Sequence, residues 1–263
     1  MTTPATPSVL DALAQLVSTR FGLEMSSAQR QSFDARVATS CRASELPALL
    51  ARACRNEPRA TRMLAELAST TYTDFFRERV AFDVLQSEII PTMRREGAVR
   101  WWSAAASSGE EAWSMAIALT EADPGLAART TILATDINAV QLDVGERARY
   151  PAARVAALGE RRARWFIEVP PTSVEIAPML RSRCIFRRLN LVEFPWPFQQ
   201  QIDVVFLRNV LYYFSPETQL AVIEHVHAVL SPRGWLVTSQ TDPEVGADPR
   251  WERRAPGIYR RST

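Results

Sequence analysis

The stretch RWWSAAASSGEEAWSMAIAL, from Arg100 to Leu119, decides how the chain folds. An apolar strand breaks into small residues and reopens as a helix, which is the layout of a nucleotide-binding turn. The turn contains a single glycine and two consecutive carboxylates, Glu110 and Glu111, where a phosphate-binding loop has amides or a lysine. Because carboxylates repel a polyphosphate, they suit a ligand with a positive centre or with hydroxyl donors.

Strand-like and helix-like segments alternate after this stretch. The helical pattern GEEAWSMAIALTEA is followed by the strand TTILATDI, the helix NAVQLDVGERARY, the strands CIFRRLNL and IDVVFLRN, the helix SPETQLAVIEHVHAVL and, as the last strand, GWLVTSQ. Such alternation predicts a mostly parallel α/β sheet that binds its ligands at the carboxyl ends of the strands.

The region before the sheet is helical in pattern. Apolar residues recur at helical spacing from Pro7 to Ala68, so residues 1–68 are predicted to form a small all-α domain. Residues 69–97 are predicted as a linker with a connecting helix from Val80 to Arg95, and residues 98–263 as the α/β domain. Prolines and β-branched residues near 166–188 predict a small antiparallel β insertion in it.

Composition restricts the chemistry. All 31 basic residues are arginine, which excludes Schiff-base chemistry and a P-loop lysine. Three widely spaced cysteines and two histidines argue against a disulfide framework and a metal site. No apolar run approaches the roughly 20 residues that span a bilayer, and the first residues lack the features of a secretion signal. We therefore expect a cytoplasmic protein without membrane insertion.

A third carboxylate completes the ligand pattern. Asp136 ends the next strand, about 25 residues after the acidic pair, where doubly wound folds place the acid that binds ribose hydroxyls. Together these residues indicate an adenosine ligand without phosphates, which points to S-adenosylmethionine. Each carboxylate alone has another reading: Glu110 and Glu111 as a solvated first helical turn, and Asp136 as a helix N-cap.

Five segments in series resemble the motifs of the CheR-type chemotaxis receptor methyltransferases: TTYTDFFRE, WSAAASSGEEAWSMA, ATDIN, LNL and FLRNVLYYF. The resemblance covers essentially the whole chain. It implies a Rossmann-like S-adenosylmethionine-dependent methyltransferase domain with a small antiparallel β insertion, preceded by a helical domain. It also implies O-methylation of glutamate side chains on the cytoplasmic region of methyl-accepting chemotaxis receptors, with S-adenosylhomocysteine as the second product.

The resemblance carries residue roles over position by position. It implies that Arg77 and Tyr213 are catalytic, with Arg77 neutralising the incoming carboxylate and Tyr213 orienting it. It implies that Glu111, beside Glu110, binds the ammonium of the cofactor and that Asp136 holds the ribose. The full set of implied cofactor-binding residues is Thr71, Thr73, Arg77, Ala104, Glu110, Glu111, Asp136, Asn190, Leu191, Arg208 and Asn209.

Three departures from the family pattern stand in the chain. Thr71 replaces a frequent asparagine, Trp113 replaces a tyrosine, and TSQTDPE, from Thr238 to Glu244, replaces an ending that contains Gly-His-Ser-Glu. Family members that dock on a receptor's C-terminal pentapeptide tend to carry a glycine-rich loop in the β insertion. Because Phe166 to Phe186 contains no glycine, we predict that this protein does not depend on that tether.

The expected partner is the acidic helical methylation region of a receptor, bound by a monomer. Complementary charge is available on the helical domain and in the stretch from Arg154 to Arg188, which has eight arginines against three glutamates. In the helical domain the candidates are Arg30, Arg36, Arg42, Arg52 and Arg55.

Two alternatives to receptor methylation stay open. One is a regulatory module that senses S-adenosylmethionine or S-adenosylhomocysteine without turnover. The other is a nucleic-acid methyltransferase, against which stand the lack of an NPPY-type motif, the lack of an aromatic stacking array and a net charge of only +2. We therefore expect no nucleic-acid partner.

Overall fold

The computed structural model describes residues 8–93, 96–245 and 248–262. Its helices are α1 (Val9–Phe21), α2 (Ser27–Ser40), α3 (Leu46–Cys54), α4 (Pro58–Ala68), α5 (Arg79–Val84), α6 (Ile90–Thr92), α7 (Glu110–Ala122), α8 (Pro124–Ala128), α9 (Ala139–Arg147), α10 (Glu160–Trp165), α11 (Pro178–Arg181) and α12 (Pro216–Val229). Its strands are β1 (Val99–Ala104), β2 (Thr130–Asp136), β3 (Arg149–Pro151), β4 (Phe166–Val169), β5 (Ser173–Ile176), β6 (Cys184–Arg188), β7 (Ile202–Leu207), β8 (Leu230–Val237), β9 (Trp251–Ala255) and β10 (Ile258–Arg261).

The main sheet has seven strands in the order β6-β2-β1-β7-β8-β10-β9. The first five are parallel, and β10 and β9 are antiparallel. Because the chain leaves β1 for β2 on one side and later returns to β7 on the other, the strand order reverses at β1. Doubly wound sheets bind their ligands in the crevice at such a reversal. The predicted mostly parallel α/β sheet is confirmed.

Strand β1 is apolar along its length because both faces of the sheet are covered. Trp101 and Trp102 are fully buried on opposite faces, each in a separate core cluster. The indole nitrogen of Trp102 donates a hydrogen bond of 2.8 Å to the Thr135 hydroxyl on β2. This cross-strand bond fixes the strand that leads directly into the SAAASSGEE turn.

The prediction that GWLVTSQ is the last strand is wrong, because β9 and β10 follow it. Their sequence, WERRAPGIYRR, is dominated by charge and lacks clean alternation. At the sheet edge only Trp251, Ile258 and Tyr259 need to be buried, so the hydrophobic signal is weak. Gly257, with φ of 70°, turns the hairpin.

The β insertion is a three-stranded antiparallel sheet in the order β3-β5-β4. It begins at Arg149, before the predicted start near residue 166, because the three residues of β3 are too short to form a recognisable pattern. Strand β6, at the end of the predicted insertion, belongs to the main sheet beside β2.

Helices α1 to α4 pack around a core of their own. Its largest fully buried members are Leu13, Phe33 and Leu64. The connecting helix runs from Arg79 to Thr92 through a π-helical stretch, Leu85–Ile89; Arg94 and Arg95 of the predicted helix lie outside the described residues. Across the described ranges, no helix has both the length and the apolar character required to cross a bilayer.

Candidate functional site

A cleft opens at the carboxyl ends of β1, β2 and β7. The sheet forms its floor, and the helical segment forms one wall with Phe21, Leu23, Glu24, Met25, Gln29, Ala68 and Ser69. The loop after α1 reaches the sheet domain directly: Leu23 bridges Phe214, and the Glu24 N–H donates to the Tyr213 carbonyl at 2.7 Å.

Nine of the twelve predicted site residues line this cleft. They are Thr73, Arg77, Glu111, Asp136, Asn190, Leu191, Arg208, Asn209 and Tyr213. These positions come from five separated motifs. Four of the motifs lie at the carboxyl ends of β1, β2, β6 and β7, which meet because parallel strands end at one edge of the sheet.

The other three predicted residues lie outside the cleft lining. Ala104 is fully buried in the sheet core, and its neighbour Ala105 lines the cleft instead. Glu110 is only 1% exposed and turns toward the β insertion, since successive residues of a helix are rotated by about 100°. Thr71 lies in a separate groove with Asn138.

Asp136 holds the turn that follows β1. One of its carboxylate oxygens accepts from the Ser107 N–H at 2.8 Å and the other from the Asn138 N–H at 2.8 Å. Burial raises the pKa of Asp136, although these backbone donors and that of Ile137 oppose the rise. These three donors leave one of the roughly four lone-pair sites of the carboxylate free, so it can still accept a hydroxyl donor from a ligand.

Gly109, whose φ is 90°, is the N-cap residue of helix α7. A Cβ at this position would stand 2.9 Å from the Gly145 Cα and 2.9 Å from the Phe186 ring, so glycine allows α7 to approach α9 closely. Trp113, one of the departures from the family pattern, donates to the Gly145 carbonyl at 3.1 Å across the same contact. Its substitution therefore concerns packing behind the cleft and not the cleft wall.

Arg208 is the centre of a buried ion cluster, with its side chain 1% exposed. Its guanidinium bonds Glu111 at 3.0 Å and lies 3.4 Å from Glu78, and it donates to the Arg77 carbonyl at 2.6 Å. Burial raises the pKa of Glu111, and Arg208 and Ser103 only partly offset this. With both glutamates ionised, one guanidinium faces two carboxylates, so the cluster carries a net negative charge.

The loop after β7 is anchored by the segment TSQTDPE. The buried Asp242 carboxylate accepts from the N–H groups of Asn209, Leu211 and Ser239. The same segment also contacts Glu78. Burial would raise the pKa of Glu78, but hydrogen bonds from Asn209 and Ser239, together with the charge of Arg208, lower it below its usual value. This departure from the family pattern thus supplies Ser239, Thr241 and Asp242 as a hydrogen-bonded support for the cleft.

Arg77 and Tyr213 lie at the rim. Arg77 donates to the Tyr72 carbonyl at 3.0 Å, and its guanidinium lies 5.1 Å from the centre of the Tyr72 ring. No described residue forms an ion pair with Arg77. The Tyr213 hydroxyl lies 3.5 Å from that of Tyr212.

Sequence reasoning missed Arg154 as a residue of the site. It donates to Glu110 at 2.7 Å and to the Thr73 carbonyl at 2.6 Å, and thus ties the insertion, the acidic turn and the linker together. The only signal was its place at the start of an arginine-rich stretch, which does not separate it from its neighbours. The loop from Leu23 to Met25 also lines the cleft, but no local sequence pattern indicates this.

The lining fits S-adenosylmethionine. The negative cluster around Arg208 suits an ammonium and a sulfonium, and Asp136 has acceptor capacity for hydroxyl groups. Ser107 lines the cleft, and its buried hydroxyl has no hydrogen-bond partner among the described residues, which leaves a polar atom unsatisfied beside the ligand space. Ile137, Leu191 and Val210 add apolar surface for a flat base.

Comparisons with known proteins agree with this geometry. Residues 71–255 match the family described as CheR methyltransferase, SAM binding domain. Chemotaxis protein methyltransferase 2 of Pseudomonas aeruginosa is 33% identical over 195 residues, covering 73% of this chain and 70% of that protein. Chemotaxis protein methyltransferase 1 of Vibrio cholerae is 33% identical over 232 residues, covering 84% and 83%.

Among solved structures, PKMT2 from Rickettsia typhi in complex with AdoHcy overlaps with a TM-score of 0.39 at 9% identity, covering 65% of this chain and 26% of that one. The chain belongs to the CheR family of S-adenosylmethionine-dependent chemotaxis methyltransferases.

Proposed function

We propose that this protein methylates glutamate side chains on the cytoplasmic region of methyl-accepting chemotaxis receptors, as a protein-glutamate O-methyltransferase of the cytoplasm. One observation carries the proposal: Arg77 lines the cleft at its rim without an ion-pair partner among the described residues, whereas Arg208 and Arg154 are bonded to glutamates. An unpaired guanidinium beside a cationic cofactor is suited to an incoming carboxylate.

Four cleft residues would hold the cofactor. Glu111 would bind its ammonium, Asp136 its ribose hydroxyls, and Asn190 with Leu191 would flank the adenine. The Asn190 amide nitrogen donates to the Arg20 carbonyl at 3.0 Å and to Glu193 at 3.1 Å, so its position is held by the end of α1. When bound, S-adenosylmethionine supplies an electrophilic methyl group.

Arg77 and Tyr213 would act on the acceptor. A glutamate carboxylate has an ordinary pKa of about 4.3, is ionised at neutral pH and needs no general base. Arg77 would bind this carboxylate and Tyr213 would orient it, so that alignment and exclusion of water provide the rate enhancement.

Receptor docking rests on fewer arginines than composition indicated. Arg30 pairs with Asp11 and Asp34, and both Arg52 and Arg55 pair with Glu57. Arg36 donates to the Leu67 carbonyl at 2.7 Å. An acidic receptor helix would therefore compete with existing partners at these four arginines. Among the described residues, the Arg42 side chain has no such partner.

Independence from a receptor C-terminal tether is also part of the proposal. The turn between β4 and β5 is formed by Pro170, Pro171 and Thr172. These residues lack the backbone flexibility of glycine that a peptide-binding loop would use. Receptor fragments with and without the last five residues should then be methylated at equal rates.

The test is transfer of labelled methyl groups from S-adenosylmethionine to the cytoplasmic fragment of a chemoreceptor, followed by mild alkali. Label released as methanol, and lost with Arg77→Ala while S-adenosylhomocysteine still binds, is the expected result. Cofactor binding without any label on receptor would instead favour the sensing module, because the cleft would then bind ligand without turnover.

A further inference from the structure

Two exposed tyrosines accompany the rim residues Arg77 and Tyr213: Tyr72 contacts Arg77, and Tyr212 packs on Tyr213. Tyr72 is 68% exposed and Tyr212 is 40% exposed, and both are among the large apolar side chains that the described residues leave in contact with solvent. Tyr72 lines the cleft together with Arg77 and Tyr213. Exposed aromatic rings grouped around a functional opening mark a surface that contacts a partner.

The contacts of Tyr72 restrain Arg77 from two directions. The Tyr72 carbonyl accepts from the Arg77 guanidinium at 3.0 Å, and the Tyr72 ring lies 5.1 Å from the guanidinium carbon. An exposed arginine otherwise has many rotamers, and ordering them costs free energy when a ligand binds. The cation–π contact with the Tyr72 ring removes part of that cost and leaves other guanidinium N–H groups for a carboxylate.

Tyr212 packs beside the cleft residue Tyr213. Its ring lies 4.4 Å from the Tyr213 ring, and the two hydroxyls are 3.5 Å apart. Burial and the Tyr213 hydroxyl raise the pKa of Tyr212, while the charge of Arg77 acts in the opposite direction.

We propose that Tyr72 is a positioning residue for Arg77, and that Tyr72 and Tyr212 bracket the methyl-accepting side chain, a protein glutamate in a helix. The rings contact its methylene groups and the neighbouring surface of the partner, while Arg77 binds the carboxylate. This inference rests on the proposed function and names two residues, Tyr72 and Tyr212, as determinants of acceptor binding. Neither belongs to the predicted catalytic or cofactor-binding set.

The experiment compares Tyr72→Ala, Tyr72→Phe and Tyr212→Ala in the receptor methylation assay. Leu220→Ala is the matched control, since Leu220 is 66% exposed and does not line the cleft. Loss of one exposed stacking contact should raise the receptor KM about fivefold in each alanine variant. Tyr72→Phe, which retains the ring, should restore a KM near that of the wild type, and the Kd for S-adenosylhomocysteine should stay unchanged throughout.

The outcomes separate this inference from the proposed function. If the wild type labels the receptor and Tyr72→Ala has an unchanged receptor KM, the proposed role of the tyrosines in acceptor binding is wrong and the proposed function stands. Equal impairment of Tyr72→Phe and Tyr72→Ala would also overturn it, because the ring would not be the active feature. A wild type that binds the cofactor but never labels receptor would remove the proposed function and this inference together.

Discussion

Two arginines at opposite depths of one cleft have opposite surroundings. Arg208 is buried, bonded to Glu111 and close to Glu78, whereas Arg77 is at the rim, stacked on an exposed tyrosine and without an ion pair among the described residues. The backbone connects them, since Arg208 donates to the Arg77 carbonyl at 2.6 Å. A buried guanidinium is committed to holding the site together, and an unpaired one remains available for a ligand.

The largest expected effect tests the buried partner. Arg208→Met should lower the free energy of unfolding by about 3–5 kcal/mol, because Glu111 and Glu78 lose their shared buried cation. Arg77→Met makes the same chemical change at the rim and should cost less than about 0.5 kcal/mol. Denaturant unfolding of the two variants measures the difference; equal losses would show that burial does not distinguish the two arginines.

The next effect tests the rim. Arg77→Ala should lower kcat/KM for receptor methylation by about a hundredfold, the scale for removal of one donor that stabilises charge at a reacting centre. The Kd of S-adenosylhomocysteine should change little, because that ligand lacks the acceptor carboxylate. Calorimetric binding and the methylation assay on the same sample separate the two quantities, and a matching loss in cofactor affinity would assign Arg77 to the cofactor instead.

A smaller effect concerns the tie between the insertion and the acidic turn. Arg154→Met should lower the free energy of unfolding by about 1–2 kcal/mol, since the buried Glu110 carboxylate loses a charged donor. Arg162→Met is the control, because its partner Glu168 is 64% exposed. If both variants unfold at the same denaturant concentration as the wild type, the contact of Arg154 with Glu110 contributes nothing measurable.

The smallest effect is a pH dependence at the ammonium end. Burial raises the pKa of Glu111 above that of an ordinary glutamate, so protonation begins at a higher pH than in an unfolded chain. The ionised form binds an ammonium, so affinity is full above the raised pKa and falls as pH drops through it, by up to about tenfold per unit. Glu111→Gln should bind more weakly and give a shallower profile; an unchanged profile would exclude Glu111 as its source.

Much of this organisation can be predicted from the sequence. Strong alternation of apolar strands and helices predicted the parallel sheet, and residues placed at strand ends, such as Asp136 and Arg208, converged because the topology forces them to one edge. The hairpin β9-β10 and the short β3 were missed, since edge strands that bury few residues carry little periodic signal.

The sequence by itself determined the class of the sheet, the acidic character of its ligand crevice and the family of the chain. The tertiary structure decided what adjacent residues do. Glu110 and Glu111 are neighbours in sequence, yet one bonds Arg154, 44 residues away, and the other bonds Arg208, 97 residues away. The reason is physical: a helix rotates each successive side chain by about 100°, and only packing determines which cation each one meets.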